Sequence, residues 1–261
     1  MSTGKQLDPR YLALSLRQHA SLLRVGQFPA SAEILEQFAN VIETRKADER
    51  FFNENYPKLE TALRKEFTLG ANWRPGLFDD ADAIIKVGSL ALETLQIVEP
   101  TKVRQENVNR IMITAMKETD EVAQIYLLCF VYLLLLEGIY DEFMRFLYAL
   151  HKKLSTTGAD LRSIRTQFSQ DGVGGTLFSG WNSTVRNGIA HSTFTVDEAS
   201  KQLLFEDRIS GKKERMSFND FRELTQKLLD VGTAVLVLLM LRILTPLNYQ
   251  EALKSSTKCA F

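Results

Sequence analysis

Apolar positions recur at intervals of three and four along most of the chain, the period of a helix with one buried face. Tyr11, Leu14, Leu22 and Val25 set such a face over residues 11 to 25, with Arg17, Gln18 and Arg24 elsewhere on the surface. After the Gly26 to Pro29 break, Ser31 is placed to cap a second helix through Ile34, Leu35, Phe38 and Ile42. Charge-rich helical sequence continues to Phe67, with an interruption expected near Asn53 to Pro57. The Gly70 to Gly76 cluster reads as a turn. Asp79 or Asp80 then opens an apolar helix through Ile84, Ile85, Leu90 and Leu95, which Pro100 should end. Another helix is expected from Thr101 to Lys117.

A long helix is predicted from Thr119 to Leu154, with Asp120 and Glu121 at its start and His151, Lys152 and Lys153 at its end, matching the helix dipole. Tyr126, Phe130, Leu133, Glu137 and Tyr140 share one of its faces, which puts Glu137 in line with core residues. A carboxylate there stands either at a rim in water or paired with Arg186 inside a bundle. A short helix, Asp160 to Phe168, carries Arg162 and Arg165. The glycines of Asp171 to Thr176 form a connector; no strand precedes them and no Lys-Ser or Lys-Thr pair follows, as a phosphate loop requires.

A helix capped by Ser179 or Asn182 runs on to His191. Gly188 inside it costs about 1 kcal/mol against alanine, which points to close approach by another backbone or a substrate. The period then falls to two over Thr193 to Val196 and Gln202 to Phe205, with a turn at Ser210-Gly211, so a small β excursion is expected. Ser217 and Asp220 form a capping box for a last helix through Phe221, Leu224, Leu228, Val231 and Val235 to Leu244.

The 261 residues are 45% apolar, enough to bury a real core. Acidic and basic residues number 32 each, with 16 of each sign up to Glu118 and 16 after it, so any nucleic-acid contact must come from a local patch. The densest such patch is Arg208, Lys212, Lys213 and Arg215, in the expected second turn of the β excursion. Two cysteines, Cys129 and Cys259, supply neither a disulfide framework nor metal-ligand spacing and suit a reducing cytoplasm. The N-terminus lacks the apolar core of a signal peptide. The apolar runs Val122 to Leu136 and Val231 to Leu241 are shorter than the roughly 20 residues of a spanning helix, so no membrane is expected. His19 reads as a partly exposed surface residue and His151 as a helix-terminal charge.

Candidate chemistry concentrates in Trp181 to His191. Arg186, Asn187 and His191 combine a permanent cation suited to phosphate, an amide that donates and accepts, and a ring that titrates near neutral pH. Arg186-Asn-Gly-Ile-Ala-His191 resembles the signature of the HEPN superfamily, an arginine followed by a histidine four to six positions on. The resemblance covers roughly Asp120 to Leu244. It implies an all-α bundle of HEPN type with a small β-hairpin or meander insertion near 193-216, here preceded by an N-terminal helical extension. The expected division is 1-118, 119-246 and a tail 247-261. It further implies a homodimer with two motifs facing each other and, in many members, a metal-independent endoribonuclease that needs no cofactor. Arg186, Asn187 and His191 would be catalytic and Glu137 supporting. Such a protein would be a toxin or phage-defence effector, with an antitoxin or regulatory protein as a partner for the N-terminal region. Thr193 replaces the tyrosine that some HEPN toxins carry two residues after the histidine, which excludes control by tyrosine modification there. A HEPN-like module that binds RNA, nucleotide or a partner protein without cleaving it is the alternative. A helical interaction protein with a chance motif is a third.

Overall fold

The structure, a computed structural model, describes residues 9–25, 28–44, 49–69, 74–86, 91–154 and 157–243. The expected tail, Cys259, the Gly26 break, most of the Gly70 turn and the helix end at Leu244 lie outside them. The described chain is mostly helical and holds one small antiparallel sheet. Its described residues fall into two units, one of 9–25, 28–44, 49–69, 74, 91–96 and 237–243, the other of 75–86, 97–154 and 157–236.

In the first unit α1 (Pro9–Val25) packs on α2 (Pro29–Glu43), and α2 on α3 (Glu49–Leu69). The buried face of α1 is Ala13, Leu16, Ala20 and Leu23, while Leu14 is 51% exposed, one position round from the face expected. His19 lies on the buried side, 3% exposed, and is not the surface residue expected. Pro57 sits inside α3 without ending it. Ser31 is not the cap of α2: the Glu66 carboxylate accepts from Ala30 N at 2.8 Å and Ser31 N at 2.9 Å, taking up two N–H groups that a helix start leaves unpaired.

The second unit begins with α4 (Leu77–Ile85), which stops short of Leu90 and whose start at Gly76 has φ +91°. Asp80 on its first turn accepts from Thr176 N at 2.8 Å. Helix α5 (Ala91–Lys117) continues through Pro100, where two helices were expected. The predicted long helix is continuous but changes pitch. It runs as α6 (Glu121–Leu135), a π turn over Leu136–Tyr140, and α7 (Asp141–Lys152). Its buried face is Ile125, Leu128, Cys129, Tyr132 and Leu135; Tyr126 and Phe130 are 46% and 61% exposed, so the face expected to carry Glu137 into the core is an outer one. The extra residue of the π turn advances the phase, and Tyr140 is thereby buried although Tyr126 and Phe130 are not. By length and composition Glu121–Lys152 could cross a membrane, a test that a buried helix of a water-dissolved bundle also passes. Glu137, Asp141, Glu142 and Arg145 interrupt its apolar character.

Helix α8 (Leu161–Gln170), capped by Asp160, leads through the glycine connector to α9 (Ser183–Ala190). Strands β1 (Phe194–Asp197), β2 (Gln202–Glu206) and β3 (Lys213–Ser217) form a meander in the order β1-β2-β3, with Phe194 opposite Phe205 and Leu204 opposite Arg215. The third strand falls where a basic turn was expected. The capping box forms as predicted: Ser217 Oγ donates to Asp220 at 2.7 Å and Asp220 N to Ser217 Oγ at 3.1 Å, opening α10 (Phe218–Ile243).

Candidate functional site

Helix α9 is fixed at both ends and along its back. Asn182 is the cap, its Oδ1 accepting from Thr184 N at 3.0 Å and Val185 N at 3.2 Å, while its Nδ2 donates to Glu214 on β3 at 2.7 Å. The buried Tyr132 hydroxyl donates to Gly180 O and accepts from Asn182 N, both at 3.1 Å, and burial pushes its pKa well up, so it stays a phenol. Val185 and Ile189 enter the core. A Cβ at Gly188 would stand 3.0 Å from Phe205 Cβ, so this glycine lets strand β2 approach, the close contact its position implied. After His191 the chain reverses through Ser192, at φ +54°, and Thr193 N donates to Gly188 O at 2.7 Å.

The side chains on the outer side of α9 form a polar chain. Arg186 Nε donates to Glu137 Oε1 at 2.8 Å, and its Nη2 stands 2.5 Å from the same oxygen. Its Nη1 donates to Asn187 Oδ1 at 2.8 Å. Asn187 in turn bonds to Asp207, which is 4% exposed in the turn after β2. The Ser210 hydroxyl, first among its partners at 2.6 Å, holds the Asp207 carboxyl down to about 2; burial opposes this, and Asn187 and the Ile209 and Ser210 backbone assist. Glu137 and Arg186 are each about half exposed, so their pair belongs to the rim and not to the interior. Glu137 stands on the π turn, whose Gly138 carbonyl accepts from Arg104 at 2.7 Å.

Arg186 and Asn187 line a groove of about 570 Å³ together with Glu137, Asp141, Arg145 and Trp181. Asp141 accepts from Arg145 Nε at 2.9 Å, so the carboxylates at 137 and 141 both belong to ion pairs with arginines of the groove. A second groove of about 670 Å³ adjoins it, with Arg162, Trp181 and Ser183 lining both. His191 differs from the other two motif residues in lining no groove. It closes α9 as an exposed residue and makes no side-chain bond to Asn187. Arg208, Lys213 and Arg215 are exposed; Lys213 pairs with Glu206, and of the predicted basic cluster only Lys212 lines a groove. Among the described residues no group of His, Cys, Asp and Glu could hold a metal ion.

Arg145, Arg162, Arg165, Trp181 and Asp207 were not singled out as site residues from sequence. Arg162 and Arg165 gave a partial signal as neighbours on one short helix, but the connector between Arg165 and Trp181 hides their meeting. Compared with protein-family models, curated proteins and solved structures, the chain matches none. The site is therefore read from its own residues.

Proposed function

We propose that the protein is a metal-independent endoribonuclease of HEPN type, active as a homodimer with a composite Arg186/His191 site. One observation carries the reading: Arg186 is aimed by Glu137 and Asn187 at the rim of a groove, with N–H donors left over for a phosphate oxygen. The chemistry asked of it is self-cleavage of RNA. One His191 takes the proton of the 2′-hydroxyl, whose oxygen bonds to phosphorus as the P–O5′ bond breaks. The partner's His191 gives a proton to the departing 5′ oxygen, and Arg186 balances charge on the phosphorane. One chain offers a single motif histidine, and its exposure leaves it open to a second copy. A cytoplasmic toxin or defence effector, restrained by an antitoxin or regulator at the N-terminal helices, fits such an activity.

A second reading, a HEPN-like module that binds RNA, nucleotide or a partner protein without cutting, draws on His191 not lining the groove of Arg186. The two part on activity. Wild-type protein with single-stranded and folded RNA in chelator should cut, while Arg186→Ala and His191→Ala should each cut about 10²- to 10⁴-fold more slowly. Intact RNA in all three tubes would leave the binding reading standing. Light scattering adds a check, since a strict monomer at micromolar concentration would remove the second histidine.

A further inference from the structure

The groove beside the Arg186 site differs from it in how its charge is used. Its cations are Arg162 and Arg165, three apart on α8, and Lys212 at the turn between β2 and β3. None of the three forms an ion pair among the described residues. The lining carboxylate, Asp207, is buried and already accepts from the Ser210 hydroxyl, the Ile209 amide and Asn187. The guanidinium of Arg165 lies 5.1 Å from the centroid of the Trp181 ring, a stacked pair that offers flat surface at the wall common to both grooves. Three cations outside any ion pair, along a trough with an aromatic plate at the wall it shares with the neighbouring groove, have the composition of a surface for single-stranded nucleic acid, in which cations follow the backbone and bases stack.

We infer that this trough seats a single-stranded RNA segment flanking the phosphate at Arg186, with Arg162, Arg165 and Lys212 on its backbone and one base stacked on the Trp181–Arg165 pair. The inference rests on Arg186 being the phosphate ligand for its placement of the strand, but not on cleavage. An acidic peptide would use the cations and leave the plate idle. A duplex keeps its bases stacked on each other and offers none to Trp181. The shared wall of Arg162, Trp181 and Ser183 makes the two grooves one path, longer than a single nucleotide fills.

The test uses full-length His191→Ala protein, which binds without cutting, and a short labelled single-stranded RNA. Arg165→Ala and Lys212→Ala, both at exposed positions, should each weaken binding about tenfold, and each should lower the salt slope by about one. Trp181→Ala should weaken it about tenfold and Trp181→Phe far less. The chain has two tryptophans, of which Trp73 lies outside the described residues, so Trp73→Phe leaves Trp181 as the sole indole. Its emission should be quenched by the single strand and little by the matching duplex. Unchanged affinity in Arg165→Ala and Lys212→Ala, unquenched emission, or equal competition by an acidic peptide each overturns the inference. Wild-type cleavage with trough variants that bind normally removes the trough and keeps the nuclease. Trough-dependent binding to RNA that wild type leaves intact does the reverse.

Discussion

The arginines of α1 and those of α8 have the same chemistry and opposite employment. On α1, Arg17 pairs with Glu43 and donates to Asn40 at 2.9 Å, and Arg24 holds Glu36 through both carboxylate oxygens. These pairs tie α1 to α2, and each partner's charge is answered within its own unit. On α8, Arg162 and Arg165 form no ion pair among the described residues; Asp160 at the helix start lies near Arg162, and the groove they line offers an indole, hydroxyls and the buried Asp207. A cation paired inside the fold sets helix register and contributes modestly. A cation left over at a groove is available to an anion from outside. The chain's net charge of zero averages these two uses and conceals both.

Charge reversal separates them most strongly. Arg165→Glu with Lys212→Glu should lower single-stranded RNA affinity by more than about 100-fold while leaving the melting midpoint in place, because neither residue is paired. Arg24→Glu, set against Glu36, should lower the midpoint and leave RNA affinity alone. A trough reversal that unfolds the protein, or an α1 reversal that abolishes RNA binding, would break the comparison.

Backbone approach comes next in size. A Cβ at Gly180 would lie 2.7 Å from Leu228 N, so Gly180→Ala, just before the aromatic plate, should destabilise by about 1–3 kcal/mol in denaturant titration. Gly158→Ala, with nothing within 4 Å, should not. Equal midpoints for the two would show that α10 does not press on this segment.

The smallest effect is on acid stability. Asp207 ionises at about 2 in the fold against 3.8 for a free side chain, so its contribution is complete above about pH 4 and is lost as pH falls towards 2. Asp207→Asn should flatten that part of the acid limb. An unaltered limb in Asp207→Asn would mean that the turn carrying Lys212 is held by its backbone alone.

Much of this organisation is legible in the residues, and the exceptions have physical causes. Ser217 and Asp220 announce α10 because a capping box needs only four consecutive positions. Gly188 announces a close neighbour because a helix tolerates glycine poorly without one. Pro57 and Pro100 mislead, since each lies inside a helix that the rest of its sequence favours. Glu137 was placed by counting at 3.6 residues per turn through a π turn, which no periodicity reveals; its pairing with Arg186 survives, but on an outer face. The strand Lys213–Ser217 is masked by its charges, because alternating exposed positions of an edge strand read as a basic turn. The trough is assembled from α8, the Trp181 segment and the turn after β2, and no local pattern joins them.

The central question is whether Arg186 and His191 cleave RNA by the 2′-hydroxyl route. Mass analysis of fragment ends after incubating RNA with the protein in chelator asks this directly. The expected result is 2′,3′-cyclic phosphate on one fragment and a 5′-hydroxyl on the other from wild type, with neither from His191→Ala. Ends bearing 5′-phosphate and 3′-hydroxyl, or the same fragments from His191→Ala as from wild type, would contradict it.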